Sequence, residues 1–143
     1  MPIKFQSENV TFPGTIKKRE TANWIKTIAA DYGKKVGELS YLFCDDQKIL
    51  EMNRHYLQHD FFTDIITFDY SDGNSIAGDI IISLETVRSN SQKYQTPFEE
   101  ELRRVIIHGV LHLCGLRDKN RKEQKEMREA EDKALFLLNT NSQ

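Results

Sequence analysis

His108 and His112 stand four residues apart in the stretch His108-Gly109-Val110-Leu111-His112-Leu113-Cys114-Gly115-Leu116-Arg117-Asp118. On a helix that spacing puts both imidazoles on one face, about 5–6 Å apart at Cβ, so two ring nitrogens can reach one ion. Gly115 is where the helix is expected to end, because glycine takes the left-handed conformation that a C-terminal cap needs. The chain can then return Asp118 as a third donor. Three protein donors leave a position open for water, as catalytic rather than structural zinc sites do. Zinc is therefore the expected ion, held by His108, His112 and Asp118, although nickel or iron also suits those donors. No protein general base is assigned. Water on the ion, its pKa drawn from about 15.7 toward roughly 7, is the expected nucleophile or base.

The spacing HxxxHxxGxx(H/D) is similar to that of the metzincin metalloproteases, which carry a glutamate general base directly after the first histidine. Gly109 occupies that position here, so a metal is expected and peptide hydrolysis is not. A second pair, His55 and His59, repeats the four-residue spacing with Asp60 and Asp64 close by, but no glycine break follows it. It reads as surface histidines at a helix end.

The elements that must position these groups follow from periodicity and punctuation. Strands are expected over Ile3 to Val10, Leu39 to Cys44, Asp64 to Tyr70 and Ser75 to Ser83, the third rich in β-branched and aromatic residues. A helix near Arg19 buries Ala22, Trp24, Ile25, Ile28 and Ala29 and stops at Gly33. Asp45 caps a second helix whose inner face is Ile49, Leu50, Met52, Asn53, Tyr56 and Leu57. Leu84 to Tyr94 forms a third. Thr96 is the expected N-cap of a fourth, with Pro97 in its first turn and Glu99 to Glu101 favourably placed there. That helix carries the histidines and is apolar on more than one face, so it should be central. A last helix from Arg121 to Leu138 turns Met127, Ala130, Ala134, Leu135 and Leu138 inward. The order βαβαββααα predicts an α+β fold: a small mixed sheet of about four strands packed with about five helices, the metal site on a central helix.

At 143 residues the chain reads as one domain over 1–143, long enough to bury a core. Its 38% hydrophobic and 29% charged residues fit a soluble globular protein. No apolar run approaches the roughly 20 residues of a membrane helix, and Met1 to Gln6 lacks the apolar core of a signal peptide. A cytoplasmic location with no membrane partner is expected. Cys44 and Cys114 are too few for a disulfide framework and read as buried free thiols. Cys114 lies two residues past His112, about 200° around a helix, and should face the core rather than the metal. The net charge of −2 argues against nonspecific nucleic-acid binding. Any RNA contact would come from a local patch: Lys17-Lys18-Arg19, Arg103-Arg104, or Arg117 to Lys125, each read first as a solvated face.

With these residues in place, the chain resembles the YbeY family of bacterial endoribonucleases, whose signature is HGxLHLxGYDH. His108 through Leu113 and Gly115 match it, Leu116 and Arg117 depart, and Asp118 takes the third histidine's place. Leu50, Asn53, Tyr56, Asp60, Thr63 to Phe68 and Gly78-Asp79-Ile80 resemble the family's LNxxYRxxDxPTDVLSF and GDI blocks, and Met127 and Glu131 fit its final helix. Two departures bear on chemistry. An aspartate for a neutral histidine lowers the site's charge by one and should leave its bound water less acidic, while remaining a competent zinc ligand. Leu57 stands where the family has an arginine thought to assist RNA cleavage, and Arg54, one turn away, is the candidate substitute. By family position Asp79 and His59 border the cleft, Asp79 as a partner of a ligand or as polar support at a strand end. Glu131 and Met127 read most simply as final-helix packing and surface.

The resemblance implies a single-strand-specific, metal-dependent endoribonuclease in ribosomal RNA processing, maturing the 3′ end of small-subunit RNA in ribosome biogenesis. Its implied partners are RNA and the ribosomal small subunit, with no DNA. Two alternatives stay open: a hydrolase of another substrate class on the same ion, and a non-catalytic ribosome-assembly factor with a structural metal. The missing Cys-x-x-Cys ligands speak against a zinc deaminase.

Overall fold

A computed structural model of the chain describes residues 3–57 and 63–141. Among them are β1 (Lys4–Ser7), α1 (Lys18–Asp31), β2 (Lys35–Cys44), α2 (Asp46–Met52), β3 (Ile65–Asp69), β4 (Ser75–Ser83), α3 (Leu84–Tyr94), α4 (Phe98–Leu113) and α5 (Arg121–Asn141). The sheet runs β1-β2-β4-β3, with β1, β2 and β4 parallel and β3 antiparallel to β4. The fold is thus α+β with a mixed sheet, in the predicted order.

Period-two alternation divides the sheet's faces. Phe5, Leu39, Tyr41, Phe43, Ile80 and Ile82 join the main core with α1, α4 and α5, while Ile66, Ile81 and Cys44 form a smaller cluster with Ile49 of α2 on the other face. Helix α4 lies in the middle, touching α1, α3, α5, β3 and β4. Two long-range bonds hold this arrangement. The buried Tyr41 hydroxyl donates to the Ile106 carbonyl at 2.9 Å, and the Trp24 indole N–H donates to the Ala134 carbonyl at 2.9 Å. Among the described residues no helix is long and apolar enough to cross a membrane.

Several boundaries differ from expectation. β2 begins at Lys35 rather than Leu39, through an irregular register between Val36 and Leu39 beside Gly37. β1 spans four residues only. Asp45 caps α2 as expected, accepting from Lys48 N–H at 2.9 Å, but regular helix stops at Met52 and a π-helical turn covers Asn53–Leu57. The wider turn rotates the following side chains: Asn53 stays buried, while Tyr56, expected inside, is 61% exposed. Thr96 is not the cap of α4. Pro97 occupies the cap position and gives no side-chain cap bond, and Thr96 Oγ1 is buried without a partner among the described residues.

Candidate active site

One stripe of α4, Glu101, Arg104, Val105, His108 and His112, forms a wall of a cavity of about 890 Å3. The spacings of three, four and seven residues follow from the helical period. Thr63, Asp64 and Thr67 line it from β3 and its approach, Asn90 and Tyr94 from α3, and Arg128 and Glu131 from α5. Asp118 comes from the loop after α4. That loop is aimed by a Schellman turn: Gly115, at φ +110°, donates to the His112 carbonyl, and Leu116 N–H donates to the Leu111 carbonyl at 3.1 Å. The glycine expected to end the helix does so, and reverses the chain toward His108.

His108, His112 and Asp118 therefore line one cavity. His108 Nε2 lies 3.4 Å from Asp118 Oδ2. His112 is exposed, and among the described residues no three histidine, cysteine or acidic side chains converge closely enough to hold an ion. The structure thus pairs two of the three donors and sets the third on the same wall.

The other ring nitrogen of His108 is engaged at once. His108 Nδ1 meets Glu131 Oε2 at 2.7 Å, and Glu131 is buried. Its second oxygen accepts from Arg104 Nη1 at 3.0 Å, and Arg104 Nη2 donates to Asp132 at 2.7 Å. Held this way, a neutral His108 keeps its proton on Nδ1 and turns the Nε2 lone pair toward Asp118. Burial alone would lower the His108 pKa; the Glu131 bond and the charges of Glu131, Asp118 and Asp64 outweigh it, so the pKa rises. Asp64 is shifted up chiefly by burial, with His108 pulling against that rise. Burial likewise raises Glu101, opposed first by Arg104.

Glu131, read from sequence as packing and surface, is thus the partner of His108. A signal was present: it interrupts the apolar stripe Met127, Ala130, Ala134, Leu138, where an ionised group is retained only if paired. Met127 is buried packing as expected. Arg104, read as a solvated face, is mostly buried and doubly paired. Asp79 does not reach the cavity. It lies opposite the inward-facing Ile80 and lines recesses with Ser40 and Tyr70 on the far side of the sheet. Arg54 and His55 border a different recess, with Lys48 and Tyr56. His59, Asp60 and the side chain of Leu57 lie outside the described residues.

Gly109, where metzincins place their base, faces the sheet. A Cβ there would meet Ile80 Cδ1 at 2.8 Å and Ile65 Cδ1 at 3.3 Å, so the glycine serves helix-to-sheet packing. Gly78 is as tightly placed, since its Cβ would overlap the Phe68 carbonyl. Neither cysteine lines the cavity. Cys44 is buried, and Cys114 is half-buried rather than buried, packed against the core. Burial raises their thiols to about 12 and about 11.

Comparison with known proteins bears on this geometry. Residues 3–139 match the family described as Endoribonuclease YbeY. Curated relatives of that name include one from Bacteroides fragilis, 59% identical over 137 residues (96% of this chain, 98% of the relative). Another, from Phocaeicola vulgatus, is 59% identical over 136 residues (95% and 98%). The solution structure of TM1509 from Thermotoga maritima superposes with a TM-score of 0.68 at 25% identity, covering 95% of this chain and 88% of that one. By sequence along almost its whole length, and by fold, the chain belongs to the Endoribonuclease YbeY family.

Proposed function

We propose that the cavity beside α4 is the catalytic cleft of a metal-dependent endoribonuclease, and that His108, His112 and Asp118 hold one zinc ion in it. The observation that carries this reading is the double engagement of His108, Nδ1 on Glu131 and Nε2 at 3.4 Å from Asp118. Two donors bound to a tetrahedral zinc at about 2.0–2.2 Å stand roughly 3.4 Å apart, the separation of this pair, so both atoms can reach one ion once Nε2 has lost its proton. His112 supplies the third donor from the same wall. Two imidazoles and a carboxylate suit zinc, and nickel or iron as well.

The ion supplies Lewis acidity toward a phosphoryl oxygen and an activated water. The chain does the rest. Glu131 and Arg104 orient His108. Asp64, whose carboxyl burial makes easier to protonate, can carry a proton within the cleft. Gly115 delivers Asp118. The substrate is single-stranded RNA, because only unpaired segments splay their bases and backbone into a side-chain-lined cleft. We place the activity in the cytoplasm, at the 3′ end of small-subunit ribosomal RNA with the small subunit as partner, the chain acting as one domain.

Calorimetric titration of metal-stripped protein tests the site itself. The expected result is one zinc per chain in the parent, and binding weakened by orders of magnitude in His108→Ala and Asp118→Ala. Unchanged binding in both variants would remove the site from this cleft.

A further inference from the structure

The cleft carries two side chains that the metal site leaves unused. Of its arginines, Arg104 is occupied by Glu131 and Asp132. Arg128 of α5 is exposed on the cavity wall and makes no ion pair within 4 Å among the described residues. Four carboxylates share the lining, Asp64, Glu101, Asp118 and Glu131, of which Glu131 is paired with Arg104 and Glu101 feels the charge of Arg128 without an ion pair, so beside the ion Arg128 is the arginine left open to an entering phosphate.

Tyr94 is the second unused group. It ends α3 on the same cavity, and its side chain is 57% exposed. Among the described residues it is the one exposed large hydrophobic side chain that lines this cleft. Its placement is fixed by the next residue: Gln95 sits at φ +56°, and the turn is closed by Gln95 N–H on the Gln92 carbonyl and Thr96 N–H on the Ser91 carbonyl. A glycine would take that conformation more cheaply. Lys93 Nζ stands over the Tyr94 ring at 5.6 Å, so a base takes the opposite face or displaces a lysine held by no ion pair among the described residues.

We infer that Arg128 and Tyr94 form a strand-binding subsite of this cleft, Arg128 taking a backbone phosphate and Tyr94 stacking on an unpaired base near the bond that is cut. The inference rests on the cleft being that of the endoribonuclease. Stacking on an aromatic ring tolerates any base but requires the base to leave its helix, so the subsite selects single strands. A cation on the wall offsets the carboxylates around the ion, which the phosphate must pass.

The test is fluorescence anisotropy with a short, unstructured, end-labelled RNA, in a His112→Ala background that prevents turnover. Adding Tyr94→Ala should weaken binding about five-fold or more, Tyr94→Phe should restore it, and an RNA abasic at each position in turn should lose the Tyr94 effect at one of them. Arg128→Ala should flatten the salt dependence by about 0.7 in log–log slope, and Arg128→Lys should keep the slope. Binding that is insensitive to both Tyr94→Ala and Arg128→Ala, by a chain that still cuts RNA with His112 intact, would overturn the subsite and leave the endoribonuclease reading standing. A parent chain that neither binds nor cuts RNA would overturn both.

Discussion

Glu131 shows how one residue ties the fold to the chemistry. It is a buried carboxylate whose two oxygens serve different masters, Arg104 on one side and His108 on the other. Partners that fix a ligating histidine commonly contribute 10–100-fold in metal affinity. Glu131→Ala should therefore weaken zinc binding by about that factor in a chelator-competition assay, while Glu131→Gln, which keeps an acceptor for Nδ1–H, should lose less. Equal affinities in parent and Glu131→Ala would show that the bond orients nothing. The same contacts predict a pH dependence. The folded-state His108 pKa is raised above its ordinary 6.5. Stabilisation by imidazolium is thus fully present below 6.5 and lost as pH rises through the raised value. Metal-free protein should lose melting temperature on going from mildly acidic to alkaline buffer, and His108→Ala should flatten that change. Zinc competes with the same proton, so its affinity should rise over the same interval.

At the scale of elements, α4 joins core and site: one side is apolar and packed on the sheet, the other carries the two histidine donors. Gly109 lets the helix approach, and Gly109→Ala should lower stability by about 1 kcal/mol in urea unfolding, overpacking against the buried Ile80 outweighing alanine's better helix propensity. A neutral result would mean that Ile80 yields without strain. Much of this was legible in the sequence because it is local. The histidine spacing, the terminating glycine, the Asp45 cap and the strand Ser75–Ser83 each depend on neighbours within a turn or two. What escaped depends on distant partners. Glu131 meets His108 across 23 residues. Asp79 is placed by strand phase, since it follows whichever face Ile80 does not take. The π-helical turn at Asn53 shifts Tyr56 off the face that regular periodicity assigns it. The cap of α4 failed for another reason: Thr96 follows a left-handed Gln95 that already closes α3, and its hydroxyl is turned into the interior.

At the scale of the molecule, four elements converge on one cavity, and an ion held there would crosslink α4, the following loop and, through Glu131, helix α5. Binding to the folded chain alone stabilises it by about 2.7 kcal/mol at a hundredfold excess over Kd. Zinc should then raise the melting temperature of metal-stripped protein on the order of 5–10 °C, and should do so far less in Asp118→Ala. A net charge of only −2 leaves RNA attraction to local features, so affinity should fall with salt only as steeply as a few phosphate contacts require. The most direct test of the central claim is cleavage of end-labelled structured RNA by the parent chain and His112→Ala, purified identically, with bound zinc measured on both. Cutting within unpaired segments by the zinc-loaded parent, and none by a zinc-poor His112→Ala, is the predicted result. Equal cutting by both chains would contradict it.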